Sequence, residues 1–229
     1  MKYALEVCLV AFIAATLALS SAAQSPALQQ GISVELVPTH SASAMPDADS
    51  QDAFIVAVTQ NGDVYLGSNP ISVAELADRA RMTPFKRGSA IYIKADARTP
   101  YSAVLPVLKA TGGGVIPQVL LTSQSAATES VMVSPKGLDV SFGSTFPSNT
   151  VATLVELLLS PQQDPVLKVN NDQIPRSALE ATLRRHFQKG DDKLVQLRAD
   201  AHLPFAEIVH VIDRCHAAGA RVYLAEAEK

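Results

Sequence analysis

The stretch at residues 90–108 reads AIYIKADARTPYSAVLPVL, and the stretch at 194–212 reads LVQLRADAHLPFAEIVHVI. The two align without gaps at a constant offset of 104 residues. Five of the nineteen pairs are identical, and they include a shared core of Ala-Asp-Ala-x-x-Pro followed by an aromatic residue. Self-similarity at a fixed spacing indicates internal duplication. We therefore interpret most of the chain as two copies of one unit.

The first copy has a readable order of strands and helices. A β-rich run at 54–59, the Asn-Gly pair at 61–62 and a returning run at 63–67 together predict a hairpin. Ser72 is placed to cap a helix over 73–81, with a glutamate at the third helical position to complete a capping box. The remaining predicted elements are a strand at 90–95, a helix that begins at Pro100 behind a Thr99 cap, and a strand at 118–122.

The second copy repeats this plan, and the segments between the copies are small and polar. Its predicted elements are strands at 166–170, 194–199 and 221–225 and helices at 177–187 and 204–218. The runs at 31–34 and 137–140 also resemble each other, and both predict short alternating strands. The unpatterned runs at 39–51 and 122–130 predict flexible connectors. The expected fold class is α+β, with helices packed on one face of a small mixed sheet, twice over.

This reading divides the chain into five parts. They are a membrane anchor or signal peptide at 1–23, a flexible linker with a short strand at 24–52, a first domain at 53–123, a second linker at 124–136 and a second domain at 137–229.

Composition excludes several classes of protein. The 229 residues are 48% hydrophobic and 18% charged, which supports a buried core and argues against wholesale disorder. A net charge of −3 gives no general electrostatic reason to bind nucleic acid. The two cysteines, Cys8 and Cys215, are too few for a disulfide framework.

The N-terminus carries an apolar run at 7–19, which predicts that the rest of the chain is exported from the cytoplasm. One reading is a cleaved secretory signal, with small residues at Ser21 and Ala23 before Gln24. The other is an uncleaved anchor, because a helix over 7–23 spans roughly 25 Å against a hydrocarbon core of about 30 Å. Glu6 at the lip of this run is unusual for a signal peptide, whose flank is normally positive.

The N-terminal apolar run and the repeated α+β unit together resemble the ExbD/TolR family of biopolymer transport proteins. The opening Leu5-Glu6-Val7-Cys8-Leu9-Val10 looks like the start of the family's membrane helix, with Glu6 where the family has its proton-carrying aspartate. The hairpin, the run PISVAEL at 70–76, the IKAD at 93–96 and the YSAV at 101–104 look like the family's periplasmic domain. The cytoplasmic start is shorter than the family usually has, the acid is Glu rather than Asp, and a second periplasmic copy is uncommon.

The resemblance implies a non-enzymatic component of an energy-transduction complex driven by the proton-motive force. The implied location is the bacterial inner membrane, with a single pass and the bulk of the chain in the periplasm. The implied partners are an ExbB/TolQ-like channel subunit, a TonB- or TolA-like periplasmic protein, and either a second copy of the chain or an intramolecular pairing of its two domains. The alternative is a soluble periplasmic binding or scaffold module, released by cleavage between Ala23 and Gln24, which has lost Glu6.

Other chemistry-bearing residues favour structural roles. Asp96 and Asp200 follow predicted buried strands, where a short acid accepts backbone N–H bonds of a turn before a helix. With Pro100, Tyr101, Pro204 and Phe205 they form the repeated motif that we interpret as structural or interfacial. His210 and His216 lie on different faces of their predicted helix, and no base is positioned to activate Cys215, so we expect no metal site, no cofactor and no enzymatic activity.

Overall fold

The computed structural model describes residues 31–112, 116–124, 135–143, 151–188 and 193–225. The predicted anchor at 1–23 and Glu6 lie outside these ranges, as do residues 113–114 of the triple glycine. In the described ranges, each helix falls short of the length and apolarity that a membrane-crossing helix requires.

The first half of the chain contains seven strands and two α-helices in the described ranges. Their bounds, in chain order, are β1 (Pro38–Thr39), β2 (Ser43–Ala44), β3 (Phe54–Val58), β4 (Val64–Leu66), β5 (Asn69–Pro70), α1 (Val73–Met82), β6 (Ile91–Ala95), α2 (Tyr101–Thr111) and β7 (Gln118–Gln124). The predicted hairpin is confirmed, since β3 and β4 pair antiparallel around Gly62, which has a φ of 87°. The predicted cap is also confirmed, because Ser72 Oγ accepts a hydrogen bond from the Glu75 N–H at 3.2 Å.

The second half repeats this order after an additional strand. Its bounds are β8 (Lys136–Phe142), β9 (Thr153–Leu159), β10 (Pro165–Val169), β11 (Asp172–Ile174), α3 (Leu179–Gln188), β12 (Leu194–Ala199), α4 (Phe205–Ala217) and β13 (Arg221–Ala225). A 3-10 turn at Arg176–Ala178 leads into α3. Sequence reasoning located β10, β12 and β13 but missed β9, which is the counterpart of β3.

All thirteen of these strands join one mixed sheet. The main path runs β11-β10-β9-β12-β13-β8-β7-β6-β3-β4-β5, with β1 on β7 and β2 on β8. The two halves meet where β7 and β8 pair antiparallel, from Gln118 opposite Val140 to Thr122 opposite Lys136. The sequence predicted two separate small sheets. The fold is instead a mixed α/β structure with one large sheet, because β8 pairs with β13 on one side and with β7 on the other.

One continuous core lies between this sheet and the four helices of the described ranges. Strand residues such as Val56, Ile93 and Leu197 pack in it with buried residues of every helix, including Leu76 and Leu183. Because successive side chains of a strand point to opposite faces, Ile55 and Tyr92 lie on the other face of the sheet, where they form a second buried cluster with Val119.

Residues 31–51 depart from two sequence predictions. The alternating run at 31–34 forms no strand, although its counterpart at 137–140 lies within β8. The run at 39–51, which composition indicated as a flexible connector, contains β2 and a 3-10 turn at Pro46–Asp49. Ala48 of that turn is fully buried against Ile55 and Tyr92. Small apolar residues among the polar ones of this run allow it to pack closely on the sheet.

Candidate functional site

The two copies of the Ala-Asp-Ala-x-x-Pro motif meet each other in the structure. Residues 96–102 run from the end of β6 into the first turn of α2, and residues 200–206 run from the end of β12 into the first turn of α4. Pro100 and Pro204 face one another in an isolated antiparallel bridge. We call these two segments together the seam.

The hydrogen bonds of the seam are reciprocal. The Tyr101 N–H donates to the Leu203 carbonyl at 2.8 Å, and the Phe205 N–H donates to the Thr99 carbonyl at 2.7 Å. One residue further into each helix, the Ser102 N–H donates to Ala201 at 2.7 Å and the Ala206 N–H donates to Ala97 at 3.0 Å. Each bond in one copy therefore has its equivalent in the other at the offset of 104 residues, which is the pattern of a two-fold interface.

This arrangement caps two helices without side chains. The first N–H groups of an α-helix have no partner within the helix. Pro100 and Pro204 occupy the cap positions of α2 and α4, and neither offers a capping side chain. The first two N–H groups of each helix are bonded instead to carbonyls of the other copy. Each copy therefore completes the helix start of its counterpart.

Thr99 has a different role from the predicted one. The sequence indicated Thr99 as the cap of a helix beginning at Pro100, but α2 begins at Tyr101 with Pro100 at the cap position. The Thr99 hydroxyl donates to the Thr59 carbonyl at 2.7 Å, which ties the seam to the hairpin of β3 and β4. Leu203, its counterpart, is buried without a hydroxyl.

The aromatic residues of the motif anchor the seam in the core. Tyr101 and Phe205 are each only 1% exposed and belong to the same continuous core cluster. Burial raises the pKa of the Tyr101 hydroxyl well above its usual value. Two large buried rings therefore attach the paired backbone segments of the seam to the hydrophobic core.

Asp96 is the most heavily bonded acid at this site. It is 4% exposed and accepts hydrogen bonds from the Arg98 N–H, from Arg98 Nε at 2.9 Å and from the Glu35 N–H at 3.2 Å. The bonds from the Arg98 side chain, followed by those from the backbone N–H groups, lower the pKa of Asp96 to about 2 despite its burial. Asp96 is therefore ionised at neutral pH, and its hydrogen bonds fix the turn before α2.

Asp200, its counterpart, has a different partner. It accepts hydrogen bonds from the His202 N–H and from His202 Nδ1, both at 2.9 Å. The backbone bond is the largest cause of a lowered pKa at Asp200. The side chain of Asp200 is 30% exposed and that of His202 is 84% exposed, so solvent screens this end of the seam more strongly.

The histidines and the cysteine of α4 do not come together. Cys215 is fully buried, and burial raises the pKa of its thiol to about 12, which makes it a poor nucleophile. His216 Nε2 lies 2.8 Å from the Asp139 carbonyl, while His210 is exposed. Within the part of the chain that the structure describes, no group of three or more His, Cys, Asp or Glu side chains is placed to hold a metal ion.

Sequence reasoning missed one carboxylate that joins distant segments. Asp213 of α4 is 7% exposed and accepts hydrogen bonds from the backbone N–H groups of His40 and Ser41, the shorter at 2.7 Å. Its counterpart at the same offset is Lys109 of α2. A buried acid on an otherwise apolar helix face was the available signal, but nothing local in the sequence indicates its partners.

The fold and the seam define a class: a duplicated α/β protein whose copies cap each other across a reciprocal interface. The family described as biopolymer transport protein ExbD/TolR matches residues 5–126 and again residues 119–228. The chain therefore belongs to the ExbD/TolR family. A comparison with curated proteins gives no match.

Membership confirms the resemblance found in the sequence and sets the functional class. The family consists of non-enzymatic accessory components of biopolymer transport, with a general role in energy transduction. Its members work with ExbB/TolQ-like and TonB/TolA-like proteins and are typically anchored in the inner membrane with a periplasmic domain.

Proposed function

We propose that this chain couples an inner-membrane proton channel to the periplasmic side of the cell envelope. In this proposal residues 1–23 are an uncleaved anchor, and an ExbB/TolQ-like channel subunit surrounds it. The two α/β copies lie in the periplasm, where they act on a TonB- or TolA-like protein. The observation that carries the proposal is the double family match, whose first part begins at residue 5 and so includes Glu6 and the apolar run behind it.

Glu6 is the proposed proton carrier. A carboxyl group drawn into a low-dielectric surrounding has a raised pKa and alternates between neutral and charged forms near neutral pH. An acid at the edge of a membrane-spanning helix is costly unless it has such a role. In the first 34 residues the only other charged side chain is that of Lys2. Glu6 is therefore the acid in this segment on which proton coupling depends.

The test compares three substitutions at Glu6 in cells that depend on this complex for transport. Glu6→Ala and Glu6→Gln remove the titrating group, and we expect each to abolish transport at unchanged protein level. Glu6→Asp keeps a carboxyl group and restores the acid that the family uses, so it serves as the matched control and retains transport. Full transport with Glu6→Ala would overturn proton coupling through this residue.

Fractionation with N-terminal sequencing of the mature protein separates this proposal from the alternative. We expect an intact N-terminus in the membrane fraction. A mature protein that begins at Gln24 in the soluble fraction would lack Glu6 and would leave a periplasmic binding or scaffold module.

We further propose that the seam takes the place of an interface between two chains. Asp96, Pro100 and Tyr101 of the first copy and Asp200, Pro204 and Phe205 of the second are its interface motif. The reciprocal bonds between Tyr101 and Leu203 and between Phe205 and Thr99 support this, because a two-fold contact between identical subunits has the same pattern. On this proposal the domains at 53–123 and 137–229 pair within one chain.

A further inference from the structure

The segment at residues 35–48, which we call the strap, contacts both halves of the molecule. It begins at the seam, where the Glu35 N–H donates to Asp96 Oδ2 at 3.2 Å and the Glu35 carbonyl accepts from the Ala97 N–H at 2.8 Å. Glu35 Oε2 also lies 3.4 Å from Arg98 Nη2. The start of the strap is therefore fixed to the turn before α2.

The strap then crosses from the first half to the second. Its β1 runs parallel to β7, where the Val37 carbonyl accepts from the Ser123 N–H at 3.0 Å. Its β2 pairs antiparallel with β8 of the second half. Val37 is 1% exposed and Ala48, at the far end, is fully buried. The strap is thus built into the sheet at both ends of the crossing.

Between these two strands the strap is held by Asp213. The carboxylate accepts the His40 N–H at 3.1 Å and the Ser41 N–H at 2.7 Å, across 172 or more residues of sequence. Hydrogen bonds to a carboxylate are stronger than those between neutral groups. A nearly buried carboxylate without such donors would be left unsatisfied, which would lower the stability of the folded state. Because the counterpart of Asp213 is Lys109, the first copy has no equivalent carboxylate on α2.

These contacts form a closed path. Asp213 lies on α4, α4 begins at the seam, and the seam turn at Asp96 binds the start of the strap. A displacement of the strap relative to the sheet must therefore either break the bonds to Asp213 or move α4. Residues 1–34 precede the strap in the chain.

We propose that the strap is a coupling element that carries displacement of the N-terminal segment through Asp213 onto α4 and so to the second copy. The role of the N-terminal segment as a moving anchor rests on the proposed function, whereas the mechanical link between strap and α4 does not. Asp213 is in this view a positioning residue that acts through the backbone of His40 and Ser41.

Amide hydrogen exchange on the full chain tests the link. In the wild type we expect the His40 and Ser41 amides to exchange with the same opening free energy as the amides of α4. In Asp213→Asn we expect the strap amides to exchange at least tenfold faster, with the seam amides of Tyr101 and Phe205 unchanged. Asp172→Asn, an exposed acid on β11, is the matched control and leaves all of these rates unchanged.

Ser41→Pro is the second variant, for the case that Asp213→Asn does not fold. It removes the donor of the shortest bond to the carboxylate and keeps Asp213 itself, and we expect the same selective release of the strap. The link would be overturned if the strap amides exchange faster than those of α4 in the wild type and their exchange rates do not change in either variant.

Transport at equal protein level then distinguishes this proposal from the proposed function. We expect Asp213→Asn to lose transport and Asp172→Asn to keep it. Retained transport in Asp213→Asn with a released strap would overturn the coupling role. We expect Glu6→Ala to leave the amide exchange of the strap unchanged. A loss of proton coupling at Glu6 therefore affects transport alone, whereas a loss of the link through Asp213 also changes strap exchange.

Discussion

Asp96 shows how one buried acid makes this fold sensitive to low pH. Hydrogen bonds, chiefly from Arg98, lower its pKa from 3.8 to about 2 in the folded protein. A depressed pKa contributes stability that is fully present above the unfolded pKa and is lost as pH falls through the folded pKa. The window for this residue therefore runs from about pH 4 down to about pH 2.

We expect Asp96→Asn to remove this contribution. The difference in unfolding free energy between wild type and variant, measured by urea denaturation, should narrow by about 2 kcal/mol between pH 5 and pH 2. Asp200→Asn should show the same direction with a smaller change, because solvent screens its more exposed side chain. An equal difference between wild type and Asp96→Asn at both pH values would contradict this role.

Residue-scale signals in the sequence were strong where they were local. The Asn-Gly pair at 61–62 predicted the first hairpin, whereas the equivalent turn of the second copy has Gln163 at a φ of 65° in place of glycine. Asn170 and Asn171 both have positive φ and form the two-residue turn between β10 and β11. Asparagine tolerates this conformation, but without a following glycine the pair gave too weak a signal to be recognised as a turn.

At the scale of elements, the reciprocal capping of α2 and α4 predicts unusual protection of helix starts. First-turn amides normally exchange quickly because they have no partner within the helix. We expect the amides of Tyr101, Ser102, Phe205 and Ala206 to exchange at least about 100-fold more slowly than the exposed first-turn amide of Ala74 in α1. NMR-detected hydrogen exchange measures all five.

A single truncation should disturb both helix starts. Phe205→Ala removes a fully buried ring from the second copy, with an expected loss of about 3–5 kcal/mol in stability. We also expect protection to fall at Tyr101 and Ser102 in the first copy. Unchanged protection there, with loss confined to Phe205 and Ala206, would argue that the two helices are capped independently.

Elements were predictable where the two copies align without gaps. Strand β12 and helix α4 follow from β6 and α2 at the offset of 104 residues, and their observed bounds differ from the predicted ones by at most one residue. The partner of β12 was missed because β9 lies at a different offset, with Leu157 opposite Ala199 where Val58 is opposite Ala95. A longer hairpin in the second copy causes this shift and hides the strand from a gapless comparison.

At the scale of the whole molecule, the continuous sheet predicts that the two halves stay together when the chain is cut. We would insert a protease site within residues 125–134, between β7 and β8, and cleave the folded protein. The β7–β8 pairing, the seam and the common core should hold the fragments as a 1:1 pair in size-exclusion chromatography and native mass spectrometry. The fragments should separate in urea, which is the control.

Separation of the fragments in plain buffer would contradict the intramolecular pairing. It would mean that the connector, rather than the shared sheet, keeps the halves in contact. The long-range contacts that hold the two halves together could not be predicted from the sequence, because residues such as Asp213 and Ser41 are brought together only by the complete fold. Sequence established the duplication and the repeated motif, but not that one sheet contains both copies.

The different partners of Asp96 and Asp200 have a consequence for the evolution of this molecule. Two identical chains that meet on a two-fold axis must carry the same residue at both ends of their interface, so every substitution takes effect twice. In the fused chain a guanidinium bonds the acid at one end and an imidazole bonds it at the other. Duplication has released the two ends from symmetry, and each is now free to be selected separately for its own neighbour.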